Sequence, residues 1–159
     1  TKAYPMTNLD GRHVPVGEPV HGMLVRLTLD DALRVHAAVA AMPGTPFPEC
    51  PAAAAPVGGL VGSVIGPGWR KAIDSAMGGT AGCTHVRELI AAMATVAFQT
   101  IPNYRKHQYR QRGVPEPDAD RPGHQFGKCL GWDPNGSVVA RVMPQFFGIT
   151  SKKDESPSR

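Results

Sequence analysis

An apolar stripe at helical spacing, Val86, Leu89, Ile90, Met93, Val96, Ala97 and Ile101, runs through the segment from Thr84 to Ile101 and constrains the fold more than any other feature. It predicts one long amphipathic helix that starts near Thr84 and must bury that face. Pro102 predicts its end, because proline disfavours helical geometry in the residue before it and lacks a backbone donor. Whatever else the chain forms has to present a surface for this helix to cover.

That surface is predicted from the first forty residues. Ala3 to Met6 and Val14 to Val16 flank Leu9-Asp10-Gly11-Arg12, where Asp-Gly suits a tight hairpin turn; Pro5 and Pro15 confine the pair to sheet edges. From His21, the residues Met23, Val25, Leu27 and Leu29 alternate with Gly22, Leu24, Arg26 and Thr28, the period of a strand with one buried face. Asp30-Asp31 breaks the run. Leu33, Val35, Ala37 and Val39 then fit a returning strand, although the alanines also allow a helix over 31–42; the β-branched valines and the following Pro43 favour the strand.

Prolines make Pro43 to Pro51 a loop that delivers Cys50. A short helix is predicted over Ala52 to Val61 and another over Trp69 to Met77, where Trp69, Ala72, Ile73, Ala76 and Met77 share one face before Gly78-Gly79. Residues 103–128 are polar, proline-rich and aperiodic, and read as a long loop. A last strand is expected over Ser137 to Met143, after the turn at Asp133-Pro134-Asn135-Gly136, and the tail 151–159 is expected to be disordered. The fold class is therefore α+β: an antiparallel β-sheet packed against one long and two short helices, in a single domain over 1–150.

A chain of 159 residues buries roughly 70% of its unfolded surface, so it needs no disulfide to be stable. Its three cysteines are odd in number and sparse, the usage of a reducing compartment, and the cytoplasm is the expected location. No apolar run reaches the roughly 18 to 20 residues of a membrane span, since glycine, proline and serine interrupt Ala52 to Ile65. The net charge of +4 suits an anionic small molecule. Nucleic acid is an unlikely partner on this reading, because the basic residues between Tyr104 and Arg121 lie in a predicted loop among acids and prolines, without a helical basic stripe or an aromatic ladder. The composition is compatible with a homo-oligomer.

The chemistry-bearing residues gather at the start of the long helix. Cys83 and His85 sit where unpaired NH groups and the positive end of the helix dipole favour a thiolate. Thiolate and imidazole are good zinc ligands; His21, Cys50 and Cys129 are the available completers of a tetrahedral site. Their separations are long, unlike paired CxxC knuckles. Glu88, three residues after His85, is positioned to orient it or act as a base, although an exposed helix carboxylate is the commoner role. A nucleophilic arrangement uses the same residues, with Cys83 as thiolate and His21 as the preferred base, because neighbours two apart within a helix diverge. Cys83 and His85 meet only if Cys83 precedes the first turn. Against both stands the plain alternative that Cys50 and Cys129 are small buried hydrophobes and His21 bonds a backbone carbonyl. His13, His36, His107 and His124 have no ligand-like company, and Trp69 and Trp132 read as core or pocket wall.

The run Gly82-Cys83-Thr84-His85-Val86-Arg87-Glu88-Leu89, the earlier Cys50-Pro51, the His21 strand, and Cys129 leading to Asn135-Gly136-Ser137-Val138-Val139 and Pro144 resemble the domain of unknown function 2889 family. The resemblance covers roughly residues 1 to 147; Val86 stands where the family's Cys-Thr-His step usually continues with leucine. It implies a shared Cys/His site and leaves the substrate open. The expectation is a small-molecule catabolic enzyme, a hydrolase or lyase on aromatic or acyl substrates. Its metal site would be zinc-like, of Cys50, Cys83, His85 and Cys129, with His21 and Glu88 as proton-transfer groups. A metal-free cysteine hydrolase and a purely structural metal site are the alternatives.

Overall fold

The computed structural model describes residues 2–117 and 121–149, and the expected tail 151–159 lies outside them. The fold is α+β, with two small antiparallel sheets and helices. The chain divides into two compact units, residues 1–97 and 98–159.

In the first unit, β1 (Met6–Thr7) pairs with β2 (His13–Val14) as Met6 with Val14 and Thr7 with His13. The turn closes through Asn8 N–H to the Arg12 carbonyl, with Gly11 left-handed at φ 77°, the conformation for which glycine was the signal. Asn8 and Arg12 then donate to the carbonyls of Pro46 and Thr45, which tie this hairpin to the chain after the second one.

The second hairpin is larger: β3 (Gly22–Leu29) pairs antiparallel with β4 (Val35–Gly44). Along β3 the expected alternation holds, since Met23, Val25, Leu27 and Leu29 are half-buried and Leu24, Arg26 and Thr28 exposed. The return is a strand, but Leu33 does not belong to it. Asp30 N–H bonds the Arg34 carbonyl across a three-residue turn, and Leu33 takes the left-handed position at φ 64°. β4 also breaks phase. Thr28 faces Ala37 while Leu29 faces Val35, so His36 is an extra residue in the ladder. The bulge turns Ala38 and Met42 inward with Val35 and leaves Val39 and Ala37 outside.

On β4, beside its partner β3, packs the segment Cys50–Leu60. It is helical as expected, but in 3₁₀ turns, and Pro56 inside it withholds a donor that an α-helix would use. Val57 and Leu60 are fully buried in it, and residues 62–65 continue along β4 through bonds between Val35 and Ser63, Gly62 and Val35, and Ile65 and Leu33. α1 (Trp69–Met77) packs on the 3₁₀ segment at Gly59, where an added Cβ would lie 3.2 Å from that of Ala76. It buries Trp69, Ile73 and Met77 as its spacing predicted.

α2 (Thr84–Arg112) begins where expected and runs eleven residues further. Its early turns meet α1: the Trp69 indole donates to the Ile90 carbonyl at 3.4 Å, and Arg87 pairs with Asp74. Val86, Ile90 and Ala97 are buried and Met93 is half-buried; Leu89 and Val96 are 39% and 60% exposed, so the buried stripe is narrower than the apolar one. Pro102 does not end α2. Pro102 withdraws the N–H that the Phe98 carbonyl would accept, and one position on, the Asn103 side chain donates to the Gln99 carbonyl at 3.1 Å. The helix stops at Gly113 (φ 64°), where Gly113 N–H bonds Arg110 and Val114 N–H bonds Tyr109, the paired closure that a left-handed glycine permits.

In the second unit, the stretch expected as a loop from residue 103 is therefore helical to Arg112. The expected strand over Ser137 to Met143 is also corrected: Ser137–Val142 is a helix, α3. No β-strand lies among the described residues of this unit, so a strand there would leave its backbone groups unpaired, whereas a helical turn satisfies them internally. Phe126 packs edge-on to Phe146, and the rings of Phe98 and His124 stack at 4.4 Å.

Candidate thiol and imidazole site

Cys83 precedes the first turn of α2. Its carbonyl accepts the Arg87 N–H at 3.0 Å, the first i to i+4 bond of the helix, and that placement lets its side chain turn back toward His85. Cys83 Sγ lies 3.7 Å from His85 Nδ1. The His21 ring, from the residue before β3, covers the His85 ring at a centroid distance of 4.3 Å and a tilt of 34°. Three residues from two distant parts of the sequence thus meet at one place. His85 and His21 are exposed and Cys83 is half-buried, so solvent and ligands reach the group directly.

Gly82 explains the local path. It is extended, at φ −135°, and its use is close approach rather than a special dihedral angle: a Cβ there would lie 2.6 Å from both the Cβ and the carbonyl oxygen of buried Met77.

The His21 imidazole titrates below its ordinary value of 6.5, first because burial withdraws solvent from its charged form, then because His85 and Lys2 repel a second positive charge. Neutral His21 can accept a proton or offer a lone pair at neutral pH.

Among the described residues, no recorded contact joins Cys50 or Glu88 to this group. Cys50 is half-buried at the start of the 3₁₀ segment, where its N–H bonds the Phe47 carbonyl. Cys129 is exposed and belongs to the second unit. Glu88 is mostly exposed and faces Arg70 at 3.8 Å; with Arg70, Ile73, Asp74, Arg87 and Ala91 it lines a shallow cleft. Among the described residues, no group of three or more His, Cys, Asp and Glu side chains has an arrangement that would hold a metal ion. The Cys83 to His85 separation is itself close to the roughly 3.5 Å between sulfur and nitrogen ligands on one tetrahedral zinc, but two imidazoles on such an ion splay their rings about 5 Å apart, and these stack more closely. Lys2 is a contributor that no local signal in the sequence links to His21.

The arrangement defines an α+β domain with a cysteine and two histidines at a helix mouth. The family described as protein of unknown function (DUF2889) matches residues 1–99, and the chain belongs to that family. The match includes His21, Cys50, Cys83, His85 and Glu88 and stops before Cys129. No curated protein and no solved structure matches the chain. No helix among the described residues is long and apolar enough to cross a membrane.

Proposed function

We propose that the chain is a small-molecule enzyme whose working group is the Cys83 thiol paired with the His85 imidazole, acting on acyl substrates. The observation that carries this reading is the 3.7 Å approach of Sγ to Nδ1 at an accessible helix mouth. In the proposed reaction His85 takes the Cys83 proton as Sγ bonds to the acyl carbon. The first-turn NH groups of Thr84, His85 and Val86, which a helix leaves without intrahelical partners, are available to the developing oxyanion. His85 returns the proton to the departing group, and water then releases the acid and restores the thiol. The His21 ring, held neutral, stacks on His85 and holds that ring in place without adding a competing charge. Glu88 has no step here, since its ion-pair partner is Arg70.

A second reading rests on the same separation: Cys83 and His85 are spaced as two ligands of one zinc ion, and rotation of the His21 ring would supply a third. An open position on such an ion would polarise a carbonyl or activate water.

Alkylation by iodoacetamide in a Cys50→Ser, Cys129→Ser background separates the two. The thiol–imidazole reading expects Cys83 to react at neutral pH at least tenfold faster than exposed Cys129 in the converse background, with the advantage lost in His85→Gln. Equal rates would overturn it. The zinc reading expects about one metal ion per chain, purified without a metal-affinity tag, and its loss in Cys83→Ser; metal content unchanged by that substitution would overturn that reading.

A further inference from the structure

The basic charge of the chain is not spread evenly. Residues 1–97 carry seven Lys and Arg against seven Asp and Glu, and residues 98–159 carry ten against six, so the whole net charge of +4 belongs to the second unit. Within that unit the charge concentrates on the C-terminal part of α2. Residues 99–112 contain Arg105, Lys106, Arg110 and Arg112 and no Asp or Glu.

Because this segment is helical, the four cations acquire a common direction. At 3.6 residues per turn Arg112, Arg105, Tyr109, Lys106 and Arg110 fall within an arc of about 160°, along roughly 10 Å of helix axis. All four cations are exposed. Asn103, an exposed side chain that can donate hydrogen bonds to phosphates or base edges, lies beside Arg110 at one flank of the arc. The Glu116 carboxylate lies 3.3 Å from Lys106.

We propose that this face of α2 docks on double-stranded DNA, with the helix in the major groove and the four cations on phosphates. Charge complementarity decides for a polyanion, and the rest of the surface decides which one. An anionic membrane would require a continuous apolar face of large aliphatic or aromatic residues beside the charges, and residues 103–112 hold only two tyrosines and no aliphatic side chain for one. A single strand would require a row of stacking platforms, and Tyr104 is the one largely exposed aromatic ring in this stretch. The B-form major groove, about 12 Å wide, admits an α-helix, whereas that of duplex RNA is too deep and narrow to be read. The proposal is independent of the Cys83 site.

Fluorescence anisotropy of the full chain with a labelled 20-base-pair DNA duplex, over a salt series, tests it. Four phosphate contacts predict log K falling with log salt with a slope of about −3.6, and R110Q or R112Q alone should make the slope shallower by about one. The variant R105Q/K106Q/R110Q/R112Q should lose at least tenfold in affinity at 50 mM salt while keeping its helical circular dichroism, since glutamine is as good a helix former. E116Q should bind more tightly, because it frees Lys106. The proposal is overturned by absence of duplex binding at 50 mM salt, by equal binding of the quadruple variant, by E116Q weakening binding, or by equal or tighter binding of polyglutamate, single-stranded DNA or phosphatidylglycerol vesicles.

Discussion

Replacing Gly82 with alanine tests the link between packing and site more directly than replacing Cys83 itself. The added methyl would sit 2.6 Å from the Met77 Cβ and 2.6 Å from its carbonyl oxygen, inside any normal contact, and Met77 is fully buried. One of the clashing atoms is backbone, so a rotamer change cannot relieve the contact. Overpacking of this kind costs about 1 to 3 kcal/mol, roughly 5- to 150-fold in the unfolding equilibrium. With a urea dependence of about 2 kcal/mol per molar, the unfolding midpoint should fall by roughly 0.5 to 1.5 M. Because Gly82 precedes Cys83, relief of the clash also moves the thiol relative to His85, and alkylation of Cys83 at neutral pH should slow. Gly58→Ala is the control: a Cβ there meets nothing within 4 Å and the residue is not left-handed, so stability should stay within about 0.5 kcal/mol. An unchanged midpoint and unchanged Cys83 reactivity in G82A, or an equal loss in G58A, would refute the close-packing explanation of this glycine.

Two further perturbations separate the buried from the merely apolar side of α2. Ile90→Ala should cost about 2 to 5 kcal/mol by urea denaturation, since Ile90 is fully buried, while Val96→Ala should cost under about 0.5 kcal/mol; similar losses would contradict the assigned face. For His21 the folded-state pKa is depressed below 6.5, so the unfolded chain binds more protons in that range. Its contribution is therefore fully present above about pH 6.5 and is lost as pH falls through the depressed value. His21→Gln should flatten the fall in unfolding midpoint below pH 6.5 relative to the native chain, and proton NMR titration of His21 at or above 6.5 would refute the assigned environment.

The sequence alone determined the elements whose signals are local. The period-two run from Met23 to Leu29, the Asp-Gly turn, Trp69 to Met77, and the start of α2 at Thr84 each follow from a few adjacent residues, and all four are present. The Cys83 and His85 candidates were legible because helix starts expose unpaired NH groups wherever they occur. What depended on neighbours far along the chain was not legible. Pro102 by itself predicts a stop, yet the left-handed Gly113 with its two closing bonds ends α2, and the Asn103 side chain bonds the Gln99 carbonyl beside the proline. The valine-rich Ser137 to Met143 segment has no partner strand among the described residues of its unit and is helical, because backbone pairing outweighs local propensity. Leu33, Leu89 and Val96 are apolar by sequence, but a left-handed turn and a narrow α1 contact decided that they would not join the core. Most consequentially, only the tertiary structure laid His21 over His85, across more than sixty residues of sequence, because hairpin register and helix packing together set where those two imidazoles meet.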